Sequence, residues 1–531
     1  MRQYQVKGPL CQGRRCDDEP SRAERALSDG RSERPGDNMR WTGPDGRVHK
    51  PAPSAKLTPP KHGLMIPFQP APWRTYGRMM ATVLPAFLLL YAALMLTIGV
   101  LEWNPPLIIG GGLFALPLVL FVLRLTRPSV IQVWNAVPDS SGSTLHNRPD
   151  SSSITTMNPT RMERHLLLDG TPLEFPSSWG PWALFLGCVF VSILLSLATT
   201  STGASDGAIV IFVLLAIPLW LLGFSIPVLA WWSVASRRLR LPIRRVQAEG
   251  WLVAGMISAF PAFLANSLLT PGMIPESWNS IQTDMALIAV GAPIIEETCK
   301  ALAILLFVPT LRGPRSGFMV GFSVGLGFAL IENVQYVAGS LFGGPANLAA
   351  TTLIRGVGSI PAHALWTALV GSAIGGFVGS RGLNMKLSLA IARTQIGVID
   401  AVEKMGVDVD GDGLKEGFTE TSAFLESALS DGIWSARDSK HLIDELQAMP
   451  DESGNTSISR PISLAFCLAV FGHALWNGLS VGSYTAAEEA GFSEGVSLLM
   501  TVAVVLCMVI SVILLTLREL RNHSPAYEVP H

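Results

Sequence analysis

The chain has 531 residues, 49% of them hydrophobic and 15% charged, and its 39 basic and 40 acidic residues leave a net charge of -1. So apolar a composition excludes a chain that is disordered throughout. The distribution of Lys and Arg along the chain carries more information than this near-zero sum, and no nucleic-acid partner is expected.

Residues 1–77 are rich in Arg, Pro, Gly and Asp, lack helical or strand periodicity, and read as a disordered cytoplasmic tail that contains Cys11 and Cys16. No cleavable leader precedes the first apolar block, which is therefore expected to act as the insertion signal, with Met39 and Met65 as alternative starts. Apolar blocks then recur near 79–100, 106–123, 179–198, 208–232 and 251–270. Each has the roughly 20 residues that a helix needs to cross a hydrocarbon core about 30 Å thick. Together they make an N-terminal membrane region over 78–275, interrupted at 125–178 by a polar insert whose Ser-rich stretch Ser140–Ser153 resembles a linker.

A second membrane region, 276–380, holds blocks near 282–309, 317–340 and 356–378. The insert 381–460 differs, because Leu387, Ile391, Ile396, Ile399 and Val402 fall on one helical stripe and Phe424, Leu425 and Leu429 on another. A small helical cytoplasmic domain is expected there. Within it Asp408, Asp410, Asp412 and Gly413 match the opening of a calcium loop, but Thr419 stands where a bidentate Glu should close it. An Asp- and Gly-rich turn that binds nothing is the competing reading. Blocks near 461–483 and 495–516 complete the core over 461–517, and 518–531 is a short tail. The expected fold is all-α, a polytopic bundle of about ten membrane helices with a small helical insert.

Lys and Arg alternate sides along this chain. The stretches Arg124–Arg164, Arg237–Arg245, Arg312–Arg315, Arg381–Lys440 and Arg518–Arg521 fall on one side, whereas the opposite loops Thr199–Gly207, Thr270–Ile281, Leu341–Asn347 and Tyr484–Glu494 contain neither residue. The positive-inside rule then places both termini in the cytoplasm of a multi-pass cell-membrane protein. Cys188, Cys299, Cys467 and Cys507 lie in the blocks as small packing residues, and no disulfide framework is expected.

The chemistry is concentrated in four blocks. The sixth contains Glu296, Glu297 and Lys300, the seventh Phe328, Glu332, Asn333 and Tyr336, the eighth His363 and Trp366, and the ninth His473, Trp476 and Asn477. An ionised side chain at the bilayer centre costs at least about 2.5–3.5 kcal/mol, so such a set implies mutual pairing or a wet cavity. Glu296 and Lys300 share a helical face, as do Glu332 and Tyr336, while Glu297 points about 100° away from Glu296. A lone buried histidine is ordinarily a hydrogen-bonded core residue, but two of them beside three carboxylates point to one cavity opening on the extracytoplasmic side. Gly321-Phe-Ser323-Val-Gly325 matches a nucleophile-elbow pattern, yet it lies in a helix, where helix packing through small residues is the better account.

In order and spacing, Glu296-Glu297-x-x-Lys300, Phe328-x-x-x-Glu332-Asn333-x-x-Tyr336, His363 and His473-x-x-Trp476-Asn477 resemble the PrsW family of intramembrane proteases. The wider group includes the CAAX prenyl endopeptidases and bacteriocin-immunity proteins, and the likeness covers about 282–483. It implies a helical-bundle peptidase in which Glu296 is the general base and Glu297 and Glu332 support it or bind a metal. His363 would polarise the water, and His473 with Asn477 would hold the tetrahedral intermediate. The related prenyl endopeptidases have His where this chain has Glu332. The resemblance implies a single-span membrane protein as substrate, such as an anti-sigma factor, cut near the outer membrane boundary. Glu297, Glu332, His363 and His473 are the candidate ligands for a zinc ion, although no His-Glu-x-x-His motif is present. Competing readings are a proton- or cation-coupled transporter or channel and a non-catalytic peptidase-like scaffold.

Overall fold

In the computed structural model the chain divides into two units, Met1–Thr58 with Gln132–Leu166, and Pro59–Ile131 with Leu167–His531. The structure describes residues 41–42, 48–49, 71–125, 130–147, 153–168 and 173–525, apart from 178, 202, 204, 242, 244, 385 and 388–459. Most of the N-terminal tail, with Cys11 and Cys16, lies outside the described residues. So does the helical insert beyond its first few positions, including Asp408, Asp410 and Asp412.

The described residues of the smaller unit lie in strands. β1 (Trp41–Thr42) pairs antiparallel with β2 (Val48–His49), and β3 (Val130–Asn147) pairs with β4 (Ser153–Leu168). The Ser-rich stretch expected as a linker thus contributes Ser140, Ser141 and Ser143 to a strand. Polar side chains hold the pair together: His146 Nε2 of β3 meets Thr160 Oγ1 of β4 at 2.7 Å, and Thr156 Oγ1 of β4 donates to the Thr144 carbonyl of β3 at 3.4 Å. Cross-strand hydroxyl pairing of this kind stabilises a sheet without the apolar alternation that marks strands in a sequence.

The larger unit is a helical membrane bundle. Its helices are α1 (Pro72–Leu101), α2 (Pro105–Leu125), α3 (Trp179–Ser201), α4 (Asp206–Leu239), α5 (Arg245–Leu264), α6 (Ser280–Met285), α7 (Ala292–Leu305), α8 (Pro314–Leu341), α9 (Gly344–Ile354), α10 (Ile360–Ser380), α11 (Ile462–Glu489) and α12 (Glu494–Asn522). Among the described residues, nine helices are long and apolar enough to cross a membrane. The expected tenth is the block that carries Glu296, Glu297 and Lys300. It forms α6, a wide turn over Ala286–Gly291, and α7, and its three charges set it apart from the apolar spans.

α8 and α10 form the centre. Gly317, Gly321 and Gly325 on α8 lie so close to α10 that an added Cβ would stand 2.1–2.4 Å from the carbonyls of Gly371, Thr367 and His363. On the other side Gly327 is pressed against the Leu252 carbonyl of α5, where a Cβ would come within 2.0 Å. With no side chain between them, the backbones reach van der Waals contact, which is how helices associate where burial of apolar surface gives no drive. Ser323, in the elbow-like pattern, is a buried packing residue that donates to the Met319 carbonyl at 2.9 Å and accepts from Trp232 Nε1 at 3.1 Å. The glycine contacts fix Glu332 on α8 and His363 on α10 relative to one another.

A candidate active site inside the bundle

Three helices carry a turn that is one residue too wide. The N–H of Thr270 bonds the Ala265 carbonyl, that of Ala292 the Leu287 carbonyl, and that of Ile360 the Arg355 carbonyl, five residues back instead of four. Each donor immediately precedes a proline, namely Pro271, Pro293 and Pro361. A proline ring in a helix collides with the carbonyl four residues before it, and a wider turn relieves the collision. Pro85, Pro117, Pro218, Pro227 and Pro261 lie inside α-helices, so proline permits the widening and local packing decides it.

The wide turn also leaves carbonyls in need of donors. Ala292 N–H has gone to Leu287 and Pro293 has no N–H, so the Ile288 carbonyl accepts from Asn477 Nδ2 of α11 at 3.0 Å. The same displacement at the third turn leaves the Gly356 carbonyl to Trp231 Nε1 of α4, at 3.1 Å. All three turns adjoin one cluster of charged side chains.

At the centre of that cluster is Lys300, fully buried. Its ammonium donates to Glu297 Oε1 at 2.8 Å and to His363 Nδ1 at 2.9 Å, stands 3.7 Å from Glu296 Oε2, and lies 3.9 Å from the centre of the Phe328 ring. A buried ammonium is tolerable only when paired and hydrogen-bonded in this way. Since Lys300 has no lone pair, His363 Nδ1 must be the acceptor and its proton resides on Nε2, which sits 2.7 Å from Glu332 Oε2. His473 is held the other way round: Nδ1 donates to Glu297 Oε1 at 2.9 Å, and Nε2 faces Glu296 Oε2 at 3.7 Å. The two imidazoles meet edge to face with centroids 4.8 Å apart, and Trp366 stacks on His473 at 4.8 Å. Gly472 makes room for that stack, because a Cβ there would lie 2.5 Å from Trp366 Nε1.

The structure therefore brings Glu296, Glu297, Lys300, Phe328, Glu332, His363 and His473 together. The tighter carboxylate partner of Lys300 is Glu297, three residues away, and not Glu296 on the shared face. Asn477 stands apart, engaged with the Ile288 carbonyl, and Trp476 packs against Gly358 in the third wide turn. Asn333 and Tyr336 contact Arg355.

Two residues of the cluster were not expected from the sequence. Asn266, in the first wide turn, donates to Glu296 Oε1 at 3.4 Å. Arg355, in the third, donates through Nη2 to Glu332 Oε1 at 2.5 Å and through Nε to Asn333 Oδ1 at 2.5 Å, with its guanidinium 3.7 Å from the centre of the Tyr336 ring. A basic residue with no basic neighbour, on the side otherwise lacking Lys and Arg, is the feature that could have identified it.

Glu296, His363 and His473 each offer a ligand atom, and these lie within 4.8 Å of one another. Two histidines and a carboxylate match in kind a catalytic metal site with an open position. Glu296 Oε2 is buried without a hydrogen-bond partner and faces His473 Nε2, whose ring is anchored at Nδ1 by Glu297, the usual arrangement behind a ligating histidine. Glu297 and Glu332, also named as ligands from the sequence, stand beside the two imidazoles, Glu297 Oε1 2.9 Å from His473 Nδ1 and Glu332 Oε2 2.7 Å from His363 Nε2. The set fits a divalent cation, provided Lys300 yields its bond to His363 Nδ1.

The site is thus a set of carboxylates, imidazoles and a lysine from separate helices enclosed in a multi-pass helical bundle. Residues 247–399 match the family model described as PrsW family intramembrane metalloprotease. The match includes every cluster residue except His473, which α11 supplies from beyond it. No curated protein and no solved structure matches the chain.

Proposed function

We propose that this protein is an intramembrane endopeptidase that cuts a membrane-anchored, single-span protein, of which an anti-sigma factor is an example, near the extracytoplasmic boundary. The observation that carries the reading is Glu296 Oε2, a buried carboxylate oxygen without a hydrogen-bond partner, facing His473 Nε2 across 3.7 Å. Water placed there gives its proton to Glu296 while its oxygen attacks the peptide carbonyl. The charge that develops on the carbonyl oxygen is offset by the Lys300 ammonium and by His473, whose ring Glu297 holds at Nδ1. Glu296 then passes the proton to the leaving amine. Glu332 fixes His363. Asn477 joins the oxyanion site only by releasing the Ile288 carbonyl.

A divalent cation such as zinc, held by Glu296, His363 and His473, would act as a Lewis acid toward the scissile carbonyl. The proposed orientation has both termini in the cytoplasm of the cell membrane. In support, the Arg-bearing ends of the helices share one end of the bundle: Arg315 Nε at the start of α8 donates to the Leu239 carbonyl at the end of α4. The cluster sits in the half of α8 away from that end.

Purified protein in liposomes with a single-span reporter tests the reading. Glu296→Gln and His473→Ala should each lower cleavage at least about 100-fold while the protein stays folded. Unchanged cleavage in both variants rules the mechanism out. A chelator that abolishes cleavage, with recovery on adding zinc, assigns the metal, and full activity in chelator removes it.

A further inference from the structure

We propose that Arg355 is a positioning residue for this reaction, acting through Glu332 to fix the ring orientation and tautomer of His363; the assignment rests on the proteolytic reading above. The guanidinium is held on three sides by neighbouring positions of α8: Glu332 and Asn333 accept from it, and the Tyr336 ring lies beneath it. Asn333 is itself oriented, because its Nδ2 donates to the Ala329 carbonyl at 2.7 Å, which aims Oδ1 at Arg355.

Glu332 is thereby divided between two tasks. Oε1 meets Arg355, and Oε2 stands 2.7 Å from His363 Nε2 as a close charge contact outside hydrogen-bond geometry. The opposite ring nitrogen of His363 accepts from Lys300. A carboxylate pinned on one oxygen holds the other at a fixed position, and its charge beside Nε2 reinforces the tautomer that Lys300 selects at Nδ1. Without the guanidinium, Glu332 is free to swing toward the ammonium of Lys300, and His363 loses the contact that sets its ring. Lysine cannot replace the fork, since a point charge does not bond Glu332 and Asn333 together in one plane. The wide turn at Arg355–Ser359 presents the residue to α8.

The test uses the full-length protein in liposomes with the single-span reporter. Arg355→Ala and Arg355→Gln should lower kcat about 100-fold with KM nearly unchanged, the size expected when a reacting group is misplaced by about 1 Å. Arg355→Lys should restore little of the rate. Added guanidinium ion should restore part of the rate in Arg355→Ala and none in Glu332→Gln, which a merely structural loss would not allow. The double variant Arg355→Ala/Glu332→Gln should be no slower than Glu332→Gln alone. Wild-type kcat in the folded Arg355→Gln variant, or losses that multiply in the double variant, overturns the assignment while leaving the proteolytic reading in place. If wild-type protein cleaves no membrane-anchored substrate, it is the proteolytic reading that falls.

Discussion

α2 and α8 both span the bundle, and α2 is the more apolar of the two, yet only 6% of the α2 span is buried inside the protein against 94% of the α8 span. In water that ranking would be reversed. In a bilayer the lipid tails solvate Leu as well as another helix does, so Leu113, Leu116, Leu120 and Leu123 of α2 remain outward. Enclosure follows instead from glycine and from charge: the helices at the centre carry the residues that let backbones touch and the groups that cannot face lipid.

The contrast is sharpest for charge. Lys300→Met leaves Glu297 buried without its cation and should destabilise the protein by about 3–5 kcal/mol. Leu120→Ala in α2 should stay within about 0.5 kcal/mol in the same detergent unfolding assay. A smaller effect is expected for Gly325→Ala, whose Cβ would lie 2.4 Å from the His363 carbonyl and force the helices apart. It should cost up to about 3 kcal/mol, whereas Gly187→Ala in α3, with nothing nearby, should be neutral or slightly stabilising by thermal unfolding.

Trp231→Phe removes the donor of the Gly356 carbonyl and should cost about 1–2 kcal/mol, while Trp179→Phe, at an exposed helix end, should change nothing. The smallest effect concerns α12, which is mostly outward but ends on the centre. There His523 is buried, bonded through Nε2 to Ser372 Oγ at 2.8 Å and stacked on Phe318 at 4.3 Å. The charged groups beside it are Glu519 and Arg460, which pair at 2.7 Å. Burial holds the imidazole below its ordinary value. The folded value is thus the lower one, so the stability due to docking is complete above the ordinary value of about 6.5 and is lost as pH falls through the folded value. Protection from hydrogen exchange over Thr516–His523, taken relative to the intrinsic amide rate at each pH, should fall on acidification, and His523→Gln should remove that dependence.

Much of the bundle is legible in the sequence because a membrane span announces itself by length and apolarity. The sixth block was legible as helix, but its three charges place it among the site-forming elements more than among the apolar spans. β3 and β4 were not, since hydroxyl-rich pairing looks like linker composition. Within the site, Glu296, Glu297, Lys300, Glu332, His363 and His473 stand out because each is costly in an apolar block. Asn266 does not, being uncharged, and Arg355 is easily read as a helix-end residue reaching for the interface. The engagement of Asn477 with Ile288 depends on a carbonyl displaced by Pro293, a tertiary consequence that helical periodicity does not encode.

The wide turn at Ala286–Gly291 gives the sixth block a break in angular phase. Deleting one residue from the block with the wide turn kept would rotate everything after it by about 100°, carrying Glu296 from the cluster toward the lipid while leaving its local sequence intact. The length of this chain between Asn279 and Glu296 is therefore as much a determinant of the site as the side chains are, and one-residue indels in that interval should be far less tolerated than substitutions.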